Sequence, residues 1–443
     1  FILSHILIWT LVPYITNENL PLDTIEALAW GSNLDWGFDK HPPLSAFAVE
    51  IFYKIFGNQD WAFYLLSQIF VIFSFVIIFN LAKKLFKSEQ LAFISILLLE
   101  GIFFYNFTTP EFNVNVAQLP FWSLCVYFTW RCIKYDKPLD FIILGLFFGL
   151  GFLAKYLFLY LIISIELLFI YFLIKKKIRI LNFFLSGLIA FITITPHLAW
   201  LVENNFVTIA YGIERTGNVE NLYNHFIYPI SFLIKQMSIL IPFFIMTFFL
   251  FKSFRFDKIF KDERNIFLFF IFFVPIILMI LTSLIIGAKI RTMWMTPFYL
   301  FIGLVFIKFH KERINLKKIK KFYIIFLFFF LISPITYAVI SVSNEFKRTD
   351  YPGKEIARLV QNRWDDNFRN EIKLVIGDEW FAGNLSYHLN SRPKWMIELK
   401  EKTKNININD GVIYTGNPKI LKKICPGVFG TIKPVGYCMI GQN

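Results

Sequence analysis

Long apolar runs separated by short polar breaks occupy most of the chain. Most runs approach or exceed the roughly 18 residues at which an apolar stretch indicates a membrane-spanning helix. We therefore predict a polytopic α-helical membrane protein with about eleven spans. The runs fall at residues 1–14, 61–82, 90–107, 114–133, 139–154, 157–174, 181–201, 229–251, 265–288, 292–308 and 322–343.

The polar breaks alternate in charge. Lys and Arg cluster at 83–87, 131–137, 175–179, 252–264 and 308–321, and threading the runs in order puts all five clusters on one side. Basic loops stay in the cytoplasm, so the opposite segments are predicted to face the exterior, or the periplasm of a bacterium. Those segments are 15–60, 105–113, 155–156, 202–228, 288–292 and the chain from 344 onwards.

The last hundred residues have the composition of a soluble domain. Amphipathic helices are predicted at 353–368 and 382–389, and short strands at 373–376, 395–398 and 412–415. The chain therefore divides into a transmembrane domain, 1–343, with a catalytic loop at 15–60, and a small exterior α/β domain, 344–443.

Composition supports this division. The 443 residues are 56% hydrophobic, and the net charge of +14 lies in clusters that fix topology. We therefore expect membrane lipids, and no nucleic acid, as partners; the oligomeric state is left undefined. The first run ends at about residue 14, so we expect the natural start of the chain to be missing. Cys125 and Cys132 are expected to be packing residues, and Cys425 and Cys438 to form a disulfide in the exterior domain.

Segment 20–57 is the one early stretch rich in polar and charged residues. Asp23 and Glu26, three residues apart, would share one face of a helix, and a carboxylate there suits proton transfer from an acceptor hydroxyl. The alternative is that Asp23 only caps the helix. His41 precedes two prolines that restrict its backbone, so Lys40 and His41 are candidate phosphate ligands, or else parts of a solvated turn.

Other candidates lie on the same predicted side. Glu111 is a second possible catalytic acid, or a cap of the span that follows it, and Asn113 stands beside it at the mouth. Three cations lie on the exterior side, where the positive-inside rule predicts few Lys and Arg residues: Lys155, Lys289 and Arg291. They would bind a phosphate leaving group, or else extend to lipid headgroups. Weaker candidates for the acceptor or donor pocket are Tyr156 and Arg215.

Several segments, in order, resemble the GT-C glycosyltransferases, in particular the bacterial branch near glycosyltransferase family 39. That branch contains protein O-mannosyltransferases and lipid A aminoarabinose transferases. The resemblance extends over nearly the whole chain. It rests on LDTIEALAWGSNLDWGFDKHPPL, TTPEFNVNVAQLPFWSLCVYF, GLGFLAKY, TPHLAW, KIRTMWMTP and DEWFAGNLSYHLNSRP.

The resemblance implies an inverting transfer of a sugar from a polyprenyl phosphate, with Asp23 at the position of the catalytic aspartate. Two departures stand out: Thr24 follows Asp23 where relatives often have Glu, and Lys40 precedes His41 where an acid is common. We therefore assign no metal and no cofactor, the lipid-linked sugar being a substrate.

The expected acceptor is lipid A or lipopolysaccharide, with protein hydroxyls as the alternative; the residues do not identify the sugar. A transporter or flippase of lipid-linked glycan is a different class of function. A protein of that class is expected to carry charges near the membrane midplane on broken helices, and to contain internal repeats. In this chain the charges cluster at one face of the membrane. A non-catalytic scaffold is a third interpretation.

Overall fold

The computed structural model describes residues 1–217, 221–251, 262–398, 410–432 and 435–442. Most of the basic break at 252–264 therefore lies outside the described residues. The helices of the first part are α1 (Ile2–Thr16), α2 (Leu22–Gly31), α3 (Leu44–Phe56), α4 (Asp60–Phe86), α5 (Glu89–Leu97), α6 (Val114–Ala117), α7 (Leu119–Tyr135), α8 (Pro138–Ala154), α9 (Leu159–Ile174) and α10 (Ile180–Glu203).

The second part continues with α11 (Val207–Thr216), α12 (Asn224–Ile239), α13 (Ile241–Phe248), α14 (Glu263–Ile286), α15 (Ile302–Phe309), α16 (Ile319–Ser343), α17 (Gly353–Asn367), α18 (Phe381–His388) and α19 (Pro418–Ile424). Short 3-10 turns occur at Leu98–Gly101, Phe103–Tyr105, Tyr156–Phe158, Thr292–Met295, Lys311–Arg313, Leu316–Lys318 and Arg348–Asp350. The strands are β1 (Ile372–Ile376), β2 (Lys394–Met396), β3 (Gly411–Gly416), β4 (Val428–Ile432) and β5 (Val435–Ile440).

The apolar runs form helices of very different lengths. Five helical segments among the described residues are long and apolar enough to cross a membrane, or six if α12 and α13, bent by 48°, form one span. Length and composition thus support fewer crossings than the eleven predicted, although the shorter helices α1 and α8 are also apolar. The five are Asp60–Phe86, Tyr156–Ile174, Ile180–Glu203, Glu263–Ile286 and Ile319–Ser343.

Close backbone contacts accompany the interrupted runs. The run at 90–107 breaks into α5 and two 3-10 turns, and a Cβ at Gly101 would lie 2.8 Å from the Phe243 backbone. In the run at 292–308 only α15 is an α-helix, and a Cβ at its Gly303 would lie 2.1 Å from the Ser95 carbonyl oxygen. These segments are packed inside the protein, where short helices can be stabilised by their neighbours rather than by their own length.

The basic breaks meet one another at one end of the helical array. Arg179 donates to Asp136, Lys308 pairs with Asp262, and Lys311 donates to the carbonyl of Phe86. Phe86 ends α4, a helix of 27 residues that is about 40 Å long. The other end of α4 starts at Asp60, which accepts a hydrogen bond from Tyr387 of the C-terminal domain at 2.6 Å. The basic clusters and the C-terminal domain therefore lie at opposite ends.

The C-terminal domain is a five-stranded sheet in the order β2-β1-β3-β5-β4. Strand β1 is parallel to β2 and β3, whereas β5 is antiparallel to β3 and β4. Trp364 of α17 is buried, and its indole donates to the Asn370 carbonyl at 2.7 Å. A disulfide joins Cys425, after α19, to Cys438 on β5, the pair named from the sequence. The free cysteines, Cys125 and Cys132, are buried in α7.

Candidate active site

Helix α2 carries two carboxylates towards open space. Its face with Ile25 and Ala29 is buried against α18, where Gly383 allows the approach because a Cβ there would lie 3.1 Å from that of Ala29. Asp23 and Glu26 border a cavity of about 300 Å³. The apolar packing of α2 on the C-terminal domain thus places its acidic residues at the cavity.

Parts of the chain that are far apart in sequence converge on this cavity. Its wall includes α2, the turn at Lys40–Pro42, the start of α6, the turn at Lys155, α11 and the segment after Arg291. Eight residues named from the sequence line it: Asp23, Glu26, Lys40, His41, Lys155, Tyr156, Arg215 and Arg291.

Glu111 contacts Asp23 directly. Its Oε1 accepts the backbone N–H of Asp23 at 3.0 Å, so this carboxyl satisfies a free donor in the first turn of α2. Asn113 caps α6, its Oδ1 accepting the N–H groups of Asn115 and Val116 at 2.9 and 3.2 Å. The sequence offered Glu111 as a cap of the following span, but in the structure that cap is Asn113.

Asn113 also borders a narrow pocket of about 20 Å³ beside Asp23 and His41.

Asp23 and Glu111 have unequal electrostatic surroundings. Burial raises the pKa of Asp23, while Lys155, Lys40, Arg215 and Arg348 all act to lower it. Burial, followed by the charge of Asp23, raises the pKa of Glu111 to about 8, and the backbone N–H of Asp23 and the charge of Arg348 oppose this. Because the cations act mainly on Asp23, Glu111 holds a proton more readily than Asp23 does.

Lys40 does not offer a free ammonium group. Its Nζ lies 2.9 Å from Oε1 of Glu26 and 3.1 Å from Oε2 of Glu379, and all three side chains are largely buried. A phosphate would have to compete with two carboxylates for this cation. The role of phosphate ligand predicted for Lys40 therefore conflicts with its surroundings.

His41 is half-buried and lines the cavity. Burial, followed by the charges of Lys155, Lys40 and Arg215, lowers its pKa to about 3. Its ring packs edge-on against Trp30 and Tyr211, at centroid distances of 5.9 and 6.3 Å. A neutral ring therefore forms part of the cavity wall, and the phosphate-binding role predicted for His41 stays a prediction.

Lys155 is the most enclosed cation of the cavity. Lys155 lies in the turn between α8 and α9 and is only 6% exposed. Its Nζ donates to Asn115 Oδ1 at 2.5 Å. The ammonium lies 5.4 Å from the centroid of Trp294, a cation–π contact. Burial lowers the pKa of Lys155 to about 7, and the charge of Asp23 opposes that shift. An added phosphate would likewise favour the charged form.

Two arginines complete the positive side. Arg215, on α11, and Arg291 both line the cavity, and neither forms an ion pair within the described ranges. Arg215 stacks over Tyr211 at 5.8 Å. Lys289, predicted as a third such cation, is exposed and lies outside the cavity lining. The phosphate-binding role predicted for it has no support in the structure.

Tyr156 is oriented by a histidine that the sequence did not single out. The carbonyl of Trp36 can only accept, so Nδ1 of His197 donates to it, at 2.6 Å. In neutral His197, Nε2 therefore accepts from the Tyr156 hydroxyl at 2.7 Å. His197 belongs to the TPHLAW motif, which was the available signal. His197 thus links α10 to the loop at 15–60 through Trp36, and to the cavity through Tyr156.

Other members of the site were also missed. Asn115 holds Lys155, Trp294 stacks on it, and Glu379 pairs with Lys40 from the C-terminal domain. Asn115 and Trp294 lie inside two of the motifs of the resemblance, two residues from Asn113 and three residues from Arg291. Glu379 also lies in a quoted motif, but nothing local indicates its partner. Within the part of the chain described here, no group of three or more His, Cys, Asp or Glu is placed to hold a metal ion.

Sequence and structure comparisons give the site a context. Residues 40–200 match the family model described as dolichyl-phosphate-mannose-protein mannosyltransferase. This segment contains Lys40, His41, Glu111, Lys155 and Tyr156. A search of curated proteins by sequence found no match.

Solved structures show the same fold. ArnT from Cupriavidus metallidurans bound to undecaprenyl phosphate is 11% identical, with a TM-score of 0.64 over 99% of this chain and 97% of that one. ArnT from the same organism in the apo state is 10% identical, with a TM-score of 0.62 over 98% and 97%. The predicted fold class is confirmed: this is a membrane-embedded helical chain with the fold of ArnT and a small C-terminal sheet domain, as the resemblance drawn from the sequence implied.

Proposed function

We propose that this chain is an integral membrane glycosyltransferase that moves a sugar from a polyprenyl-phosphate donor to an acceptor hydroxyl. The observation that carries the proposal is the cavity that Asp23 shares with Lys155, Arg215 and Arg291. Such a reaction needs a group that receives a proton and cations that stabilise a leaving phosphate, placed on either side of the reacting carbon.

The cations define the end of the cavity that would hold the donor. Lys155 supplies a buried ammonium, and Arg291 and Arg215 supply guanidinium groups without ion pairs in the described structure. Guanidinium and ammonium groups bind phosphate through charge-assisted hydrogen bonds. The likeness to ArnT, solved with undecaprenyl phosphate, supports a lipid phosphate as the ligand at this end.

Asp23 would act on the acceptor. The acceptor oxygen attacks the anomeric carbon, and its proton passes to the Asp23 carboxylate. The bond from the anomeric carbon to the phosphate oxygen breaks, and the prenyl phosphate leaves with the bonding electrons, so that one displacement inverts the anomeric centre. Burial makes Asp23 a stronger base than an exposed aspartate, because it raises the pKa of this carboxyl.

For the acceptor we propose lipid A or lipopolysaccharide, with the cavity facing the periplasm of the bacterial inner membrane. The structural match covers 99% of this chain and 97% of the ArnT chain, and this supports an architecture like that of ArnT. The family model of protein mannosyltransferases supports the alternative, a protein hydroxyl. The separation of the basic breaks from the C-terminal domain supports the orientation.

The test is transfer by the purified protein in lipid nanodiscs. Undecaprenyl-phosphate-linked radiolabelled sugars are supplied with lipid A or with a Ser/Thr-rich peptide, and products are identified by mass. We expect label on lipid A with release of undecaprenyl phosphate. Label on the peptide would change the acceptor. Movement of the donor across liposomes without bond cleavage would contradict the enzyme and favour a flippase.

A further inference from the structure

We infer that Glu379 of the C-terminal domain is a positioning residue, which holds the active-site loop in place through Lys40. This inference rests on the proposed function. Glu379 does not line the cavity, but its Oε2 lies 3.1 Å from Nζ of Lys40, which does. The same Nζ lies 2.9 Å from Oε1 of Glu26. One cation thus joins the domain, the loop and the acidic helix.

The position of Glu379 is fixed by its own domain. The preceding residue, Asp378, accepts the N–H groups of Trp380 and Phe381 at 2.9 and 2.8 Å and so holds the start of α18. Helix α18 packs directly on α2 at Gly383. Glu379 therefore approaches Lys40 from a backbone that is anchored to the helix carrying Asp23 and Glu26.

The loop before Lys40 is anchored from the other direction. The carbonyl of Phe38 accepts from Thr208 Oγ1 at 2.6 Å, and its N–H donates to the carbonyl of His41 at 3.1 Å. Lys40 lies inside this short turn, and its ammonium reaches the acids instead of solvent. The ion pair with Glu379 thus connects this turn to the C-terminal domain.

The charges explain why a second carboxylate is useful there. Lys40 is one of the cations that favour the ionised form of Asp23, and it is also the partner of Glu26. A flexible lysine held at one contact retains considerable rotamer freedom. Two buried carboxylates restrict the ammonium to one position, and the field that it exerts on Asp23 becomes fixed as well.

The test is a double-mutant cycle on the full-length protein in nanodiscs. We expect Glu379→Gln to lower kcat about 10-fold with the donor KM changed less than about threefold, and Lys40→Met to lower kcat about 100-fold. If Glu379 acts through Lys40, the double variant is no worse than Lys40→Met alone. Multiplied losses, or an unchanged kcat in Glu379→Gln, would overturn the inference.

A second measurement separates this inference from the proposed function. In Glu379→Gln, amide hydrogen exchange should accelerate at 35–43, whether or not transfer is detected. The control is Asp410→Asn, which breaks the exposed Lys373–Asp410 pair of the same domain and should change neither readout. Unchanged exchange at 35–43 contradicts the positioning role, whereas a wild type that transfers no sugar contradicts only the proposed function. Glu379→Asp serves if Glu379→Gln does not fold.

Discussion

Two charged regions flank helix α2, and their charges are matched differently. On the side of the C-terminal domain, Arg392 lies 2.7 Å from Glu50 and also donates to the carbonyl of Leu28 at 2.6 Å. Both charged side chains are largely buried, and neither lines the 300 Å³ cavity. In the cavity, Arg215 and Arg291 face open space and have no ion pair among the residues described.

The difference separates charges that stabilise the fold from charges that await a ligand. Breaking a buried ion pair leaves an uncompensated charge, so such a pair matters for stability. Cations that line a cavity without an internal partner remain available to an external anion. Changes on the Glu50 side should therefore affect stability, and changes in the cavity should affect turnover.

Asp23→Asn should have the largest effect. We expect transfer to fall about 1,000-fold, since loss of a positioned proton acceptor typically costs 10²–10⁴. The melting temperature should stay within about 2 °C, because no hydrogen bond of the Asp23 side chain holds the described structure together. Labelled-product formation and thermal unfolding measure the two effects. Full transfer by this variant would remove Asp23 from the mechanism.

Arg291→Met should have the next largest effect on transfer. We expect about a 100-fold loss in kcat/KM for the donor, because the variant removes a cation from the leaving phosphate. The matched control is Lys289→Met, two residues earlier, exposed and outside the cavity, which should retain activity within about twofold. Equal losses in the two variants would place the phosphate elsewhere.

Glu50→Gln tests the other side of the comparison. The variant leaves the Arg392 guanidinium buried without its carboxylate, and breaking such a pair costs about 3–5 kcal/mol. We expect a lower melting temperature, with turnover per folded molecule within about twofold of wild type. Turnover that falls as steeply as in Arg291→Met would erase the distinction between the two regions.

Glu111→Gln should change the pH dependence of stability. The pKa of Glu111 rises from 4.5 to about 8 on folding, so the wild type loses stability as pH rises from 4.5 to 8 and no further above 8. The glutamine variant lacks this loss. Its melting temperature relative to wild type should increase across that window and then level off. A constant difference from pH 5 to 9 would contradict the assignment of the proton to Glu111.

Local patterns predicted the scaffold of the site well. The helix predicted to carry Asp23 and Glu26 on one face corresponds to α2, because residue spacing defines such a face within the sequence. The basic breaks assigned each loop to one side of the membrane, and this put Asp23, Lys155 and Arg291 on the same side. In a membrane protein the alternation of charge along the chain therefore relates residues that are far apart in sequence.

Long-range pairing was not predictable in the same way. Glu379 lies 339 residues from Lys40, and no spacing rule connects them. Run length also did not show where the helices break, since Gly101 and Gly303 lie at close backbone contacts inside apolar runs that form short helices. The antiparallel pair of β4 and β5 was missed because Gly430 and Gly436 interrupt the apolar pattern of its strands.

The most direct measurement is a structure of the Asp23→Asn variant with an undecaprenyl-phosphate-linked sugar bound. We predict the phosphate within hydrogen-bonding distance of Lys155 or Arg291, and the anomeric carbon on the side of position 23. A phosphate bound away from these cations, for example beside the apolar groove of Met237 and Phe244, with the cavity left empty of lipid, would contradict the account.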